Sequence, residues 1–205
     1  MKDNKSKASR PTGQIMIDPR GYITEEQVKL LLDNCRNLRD YLFVLILLHS
    51  GRRISELIEL RVKDIAFKEG MIAWHILKKR TPVYKYIATD NLALSYLYKY
   101  IQTLKLTSNE RLFPFTRQRA DKLIKKIGKR AGIETIGNKK IHCHAFRHGH
   151  AAFMLQHGAN IKELQMSLDH SRLEQTAQYL QFSQEDLRNK MNIVFGIKKK
   201  EEKEY

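Results

Sequence analysis

The 205 residues carry 38 Lys and Arg against 22 Asp and Glu, a formal net charge of +16, with 42% hydrophobic residues. That is enough chain for one substantial core, and the positive surplus creates a field that gathers polyanions, nucleic acid first among them. No apolar run reaches the length of a membrane span and no apolar signal segment follows the polar start, so the expectation is a soluble, cytoplasmic chain with no membrane partner. Cys35 and Cys143 are too few for a disulfide framework, and neither sits in a Cys-x-x-Cys pair.

Residues 1–21 are polar and basic, without helical or strand period, and read as a flexible arm. Thr24-Glu25-Glu26-Gln27 is a capping box, and Val28, Leu31 and Leu32 then recur at helical spacing. A second helix is expected from Leu38 to Ser50. Its run Tyr41 to Leu48 is apolar all round, which makes it the central buried helix. After Gly51 a short helix (Ile54 to Leu60) leads into strands at Ile65 to Phe67, Met71 to Leu77 and Tyr84 to Ala88, with turns at Lys68-Glu69-Gly70 and Lys78 to Val83. Asp90 caps a helix from Asn91 to Leu104, and another runs from Thr116 to Ala131, closed by Gly132.

The remainder reads as helical: Ala145 to His157 ended by Gly158, Ile161 to Leu168 capped by Asn160, a capping box at Ser171 to Glu174, and a last helix from Ser183 to Phe195. Residues 197–205 form a charged tail. The whole reads as a mostly helical α+β domain over residues 22–196, with one small antiparallel sheet.

Three segments carry chemistry. In Ser50-Gly51-Arg52-Arg53-Ile54-Ser55-Glu56-Leu57, Arg53 starts a helix beneath a buried one, where a guanidinium is costly unless it meets an anion or pairs with Glu56 three residues along. In His142-Cys143-His144-Ala145-Phe146-Arg147-His148-Gly149-His150, His144 and Arg147 are spaced to share one face at a helix N-terminus, a good place for a phosphate. Zinc ligation there would want a second Cys/His pair, and none exists. The third segment is Leu168-Asp169-His170, with Tyr179 nine residues beyond the histidine. Two arginines, two histidines and a tyrosine in a basic domain are the parts of a phosphoryl transfer that needs no metal and no cofactor. The arginines neutralise charge on the pentavalent phosphorus, the tyrosine oxygen attacks, and a lysine on a hairpin protonates the leaving 5′-oxygen.

In these boxes the chain resembles the catalytic domain of the tyrosine recombinases, the phage-integrase family. The family's Thr/Ser-Gly-x-Arg-x-Ser-Glu-Leu box matches Ser50 to Leu57, its His-x-x-Arg box His144 to Arg147, its Leu-Gly-His box Leu168 to His170, and its nucleophile Tyr179. The resemblance therefore implies Arg53, Lys78, His144, Arg147, His170 and Tyr179 as catalytic residues, with Lys79 competing with Lys78. It implies a site-specific recombinase acting on double-stranded DNA, a homotetramer on DNA and a monomer or weak oligomer when free. The last helix, with Leu187, Met191, Val194 and Phe195 on one stripe, would dock on a neighbouring subunit. A non-catalytic DNA-binding module and a type IB topoisomerase are the alternatives. Two departures stand out. Asp169 replaces the family's glycine, adding a carboxylate near the phosphate site, and only the arm precedes the catalytic domain, as in the short recombinases that invert the fimbrial phase switch.

Overall fold

The computed structural model describes residues 22–76, 83–169 and 191. All of these but Met191 fall in one compact unit. The first helix, α1 (Glu25–Asp33), starts where its capping box dictates: Thr24 Oγ1 accepts from the Gln27 N–H at 3.3 Å and Gln27 Oε1 accepts from the Thr24 N–H at 3.0 Å. Asn37 Oδ1 caps α2 (Leu38–Ser50) by accepting from the Asp40 N–H. From Leu42 to Leu48 no residue of α2 is more than 6% exposed, and α1 packs against it together with the helices Asn91–Leu104 and Cys143–Gln156. It is the central pillar that its all-round apolar sequence demands. Gly51 ends it in the left-handed conformation at φ 57°.

The next helix, α3 (Ile54–Leu57), is three residues shorter than expected. The Leu60 carbonyl accepts from the Leu112 N–H, so the chain leaves the helix to make a long-range bond. A 3₁₀ turn (Val62–Asp64) leads into the sheet, formed by β1 (Ile65–Ala66), β2 (Met71–Ile76) and β3 (Val83–Ala88) in the order β1-β2-β3, all antiparallel. The register pairs Met71 with Ala88 and Trp74 with Lys85. Ile72, Trp74 and Ile76 alternate into the core, whereas Tyr84 and Tyr86 of β3 face outward. Asp90 Oδ1 accepts from the Ala93 N–H to open α4 (Asn91–Leu104).

Thr116 caps α5 (Arg117–Arg130). A short hairpin that the sequence reading left out follows, β4 (Thr135–Ile136) with β5 (Lys139–Lys140). Gly137 supplies the positive φ of 56° that so tight a loop needs. The last two helices described are α6 (Cys143–Gln156), beginning two residues before expectation, and α7 (Ile161–Leu168), whose Asn160–Glu163 capping box is complete. The architecture is thus mostly helical α+β with a small three-stranded antiparallel sheet and a two-stranded hairpin. The helices expected from Ser171 and Ser183 lie outside the described residues, apart from the helical Met191.

Candidate phosphate-binding site

The C-terminus of α2 brings the first two boxes together. Gly51 sits where a β-carbon would fall 2.6 Å from His150 Cδ2 of α6 and 2.9 Å from Leu168 Cδ2 of α7. Only glycine allows the three helices to approach so closely, and it also suits the left-handed turn. His150 fastens the same junction: its Nδ1 donates to the Leu48 carbonyl at 2.8 Å and its Nε2 accepts from Ser167 Oγ at 2.8 Å. Burial is the main cause that holds this imidazole neutral, with a pKa pulled down to about 4.

Arg147, 2% exposed, reaches across the junction. Its Nη1 donates to the Gly51 carbonyl at 2.7 Å and its Nη2 to the Leu168 carbonyl at 2.8 Å, so the guanidinium is aimed by two backbone oxygens from the ends of α2 and α7. His144, three residues earlier on α6, keeps an exposed surface. Loss of solvent on its packed side, and then the charge of His148, Arg147, His142 and Arg53, lowers its pKa to about 4. At neutral pH it is an uncharged imidazole beside two guanidinium groups, able to donate one N–H. Next to it opens a groove lined by Ile54, Arg117, Gln118, Asp121 and His142.

Arg53 is half-buried at the N-cap of α3, where its Nη1 donates to Glu56 Oε1 at 3.1 Å and its N–H to Glu56 Oε2 at 3.1 Å. The pairing with Glu56 that the sequence left open is therefore present, and Arg53 still acts on His144. The fully buried guanidinium in this box is its neighbour Arg52, 1% exposed, lying over the Trp74 ring at 5.9 Å. Its Nη1 and Nη2 meet no hydrogen-bond partner among the described residues. Arg53 is thus half-buried and paired with Glu56, while the wholly buried guanidinium of the box is that of Arg52.

Arg53, His144 and Arg147 thus converge from α3 and α6. Lys78, His170 and Tyr179, together with Lys79, lie outside the described residues. Asp169, the residue before His170, closes α7 in the left-handed conformation (φ 52°), the backbone state for which glycine would be the natural choice. Its carboxylate accepts from Lys85 Nζ of β3, a partner that no local sequence signal announced. Among the described residues no group of three or more His, Cys, Asp or Glu is placed to hold a metal ion.

Residues 21–186 match the model of the phage integrase family. The chain belongs to that family. Among curated relatives, the tyrosine recombinase XerA of Pyrococcus horikoshii is 29% identical over 174 residues, covering 81% of this chain and 58% of the relative. The chain spans little more than half the length of such relatives. Among solved structures, that of XerA recombinase superposes with a TM-score of 0.68 at 23% identity, covering 96% of this chain and 68% of the other. A post-cleavage complex of XerH site-specific recombinase with its palindromic difH substrate gives 0.69 at 20%, covering 87% and 54%. These likenesses establish the fold, that of the tyrosine recombinase catalytic domain.

A second feature of this phage-integrase chain was invisible in its sequence. Arg36, Arg39, Arg119, Lys122, Lys126 and Arg130 line one cleft between the start of α2 and the side of α5. Phe115 at its wall carries two of these guanidinium groups over its ring, Arg39 at 5.0 Å and Arg119 at 5.6 Å. The residues are up to 94 positions apart, so only composition hinted at them.

Proposed function

We propose that the chain is a site-specific DNA recombinase that cuts and rejoins DNA through a covalent 3′-phosphotyrosine. Tyr179 Oη gives up its proton to His170 and attacks the scissile phosphorus, the P–O5′ bond breaks, and the 5′-oxygen leaves as a hydroxyl after taking a proton from Lys78. Rejoining is the reverse, with a 5′-hydroxyl attacking phosphorus and tyrosine leaving. Arg53 and Arg147 bind the non-bridging oxygens and offset the charge that grows on them. Neutral His144 donates to the phosphate, His170 is the general base, and Lys78 is the general acid, with no metal ion taking part. The partner is double-stranded DNA, bound through the Lys and Arg surface, with a homotetramer assembling on paired sites and a monomer or weak oligomer in its absence.

The observation that carries this reading is the convergence of Arg53, His144 and Arg147 from two distant boxes, with Arg147 aimed by the Gly51 and Leu168 carbonyls. Selection from a random DNA pool would supply a site, and a nicked duplex carrying it would trap the adduct. Wild type forms a protein–DNA adduct stable to denaturant, and Tyr179→Phe forms none. A protein that binds the site tightly without forming adduct would be a binding module. One that relaxes supercoiled plasmid irrespective of sequence would be a topoisomerase.

A further inference from the structure

Asp169 and Arg52 both sit in the boxes of the phosphate site, and neither has a role in the phosphoryl transfer just described. The structure puts them in one cluster. Arg52 lies over Trp74 of β2, and Trp74 pairs across the sheet with Lys85 of β3. Directly paired residues point to the same side of a sheet, so Lys85 stands beside Trp74 on the inner face. Lys85 Nζ reaches the Asp169 carboxylate, whose side chain is only 11% exposed. Burial lowers the pKa of Arg52, while the charges of Glu56 and Asp169 act the other way.

Half-buried Lys85 therefore pairs with this carboxylate at the end of α7, while the wholly buried Arg52 makes no hydrogen bond to it. A non-glycine residue in the left-handed region carries a conformational penalty, and aspartate is among the few residue types that visit it readily. The residue immediately before Asp169 is Leu168, whose carbonyl holds Arg147 Nη2. Whatever fixes the Asp169 turn also fixes one of the two oxygens that aim Arg147.

We infer that Asp169 is a positioning residue: through its ion pair with Lys85 it clamps the end of α7 to the sheet and so sets the Leu168 carbonyl that orients Arg147. The inference rests on the proposed recombinase reading for its effect on rate, but the clamp itself does not. In this chain the carboxylate replaces backbone freedom with an electrostatic tie, and the cost of burying Arg52 is partly offset by the same group.

Four variants of the full chain test it: Asp169→Asn, which keeps shape and left-handed tolerance while removing charge; Lys85→Met; the two together; and the conservative Lys85→Arg. Without DNA, the thermal midpoints of the cycle are non-additive, the double variant falling little below either single one. With saturating nicked DNA, each single variant forms the covalent adduct about tenfold to a hundredfold more slowly, the range expected of a misplaced catalytic group. DNA affinity changes by less than about twofold, the double variant is no slower than the singles, and Lys85→Arg recovers most of the rate lost in Lys85→Met.

Additive midpoints would overturn the clamp. Wild-type adduct rates in either single variant would overturn the positioning role, as would a Lys85→Met defect confined to DNA affinity, which would make Lys85 a phosphate ligand. If wild type forms no adduct on any duplex, the recombinase reading fails, and the midpoints still decide whether the clamp exists.

Discussion

Two adjacent arginines meet opposite fates, and the difference lies in which way the chain turns after Gly51. Arg53 keeps part of its side chain exposed and pairs with Glu56, whose side chain is 1% exposed. Removing Arg53 strands that buried carboxylate, so Arg53→Ala is expected to lose on the order of 1–3 kcal/mol of stability along with about a hundredfold or more in adduct formation. Adding Glu56→Gln removes the unpaired charge. The double variant then regains stability in urea unfolding while its cleavage stays low, and simultaneous recovery of both would show that Arg53 acts only through folding. Arg147→Ala behaves differently, because it leaves the Gly51 and Leu168 carbonyls without their donor at about 1–3 kcal/mol each. Its midpoint therefore falls, and its activity is to be compared below that midpoint.

His150 belongs to the same scale. Its folded pKa of about 4 lies below the ordinary 6.5, so the unfolded chain binds the proton more readily. The stability that depends on neutral His150 is fully present above about pH 6.5 and is lost as pH falls toward 4, on the order of 3 kcal/mol in all. His144 shifts in the same direction and steepens the loss. Urea midpoints between pH 7.5 and 4 should fall for wild type. His150→Gln should be weaker at neutral pH and show a flatter slope; an unchanged slope would remove His150 as a cause.

At the scale of elements, the junction of α2, α6 and α7 decides whether the site exists. Gly51→Ala has to place a methyl group 2.6 Å from the His150 ring and tolerate φ 57°. The left-handed conformation alone costs about 1 kcal/mol, and overpacking adds about 1–3 kcal/mol more. Because the Gly51 carbonyl also holds Arg147, the loss of adduct formation should exceed what the fall in stability explains. A thermal melt and a trapping assay on one preparation check both. Gly128 is a second close approach: a β-carbon there would meet the Ile133 carbonyl at 2.4 Å, so Gly128→Ala should loosen the end of α5 without touching Arg147. That variant separates general loosening from damage to the site.

At the scale of the molecule, the net charge of +16 becomes a binding prediction. Lys and Arg that replace condensed counterions give log affinity a linear fall with log salt, and each phosphate contact contributes about one unit of slope. In the cleft around Phe115, Arg119→Ala and Lys122→Ala should each flatten that slope by about one unit if the cleft carries DNA backbone. An unchanged slope in both would assign the cleft another occupant.

The sequence by itself determined whatever is settled within one turn of chain. Thr24, Asp90 and Asn160 cap their helices as expected, because a cap bonds an N–H only two or three residues away. The boxes around Arg53, His144 and Leu168 were legible for the same reason, each being a short run with its own spacing. What the tertiary structure decided are the features set by distant partners. The end of α3 follows from the Leu60–Leu112 bond. The choice of Arg52 over Arg53 for burial follows from the position of Trp74. The occupation of Asp169 by a lysine 84 residues earlier follows from where β3 runs past α7. Such pairings carry no periodicity or local composition, since their energy appears only after the loops between them have closed.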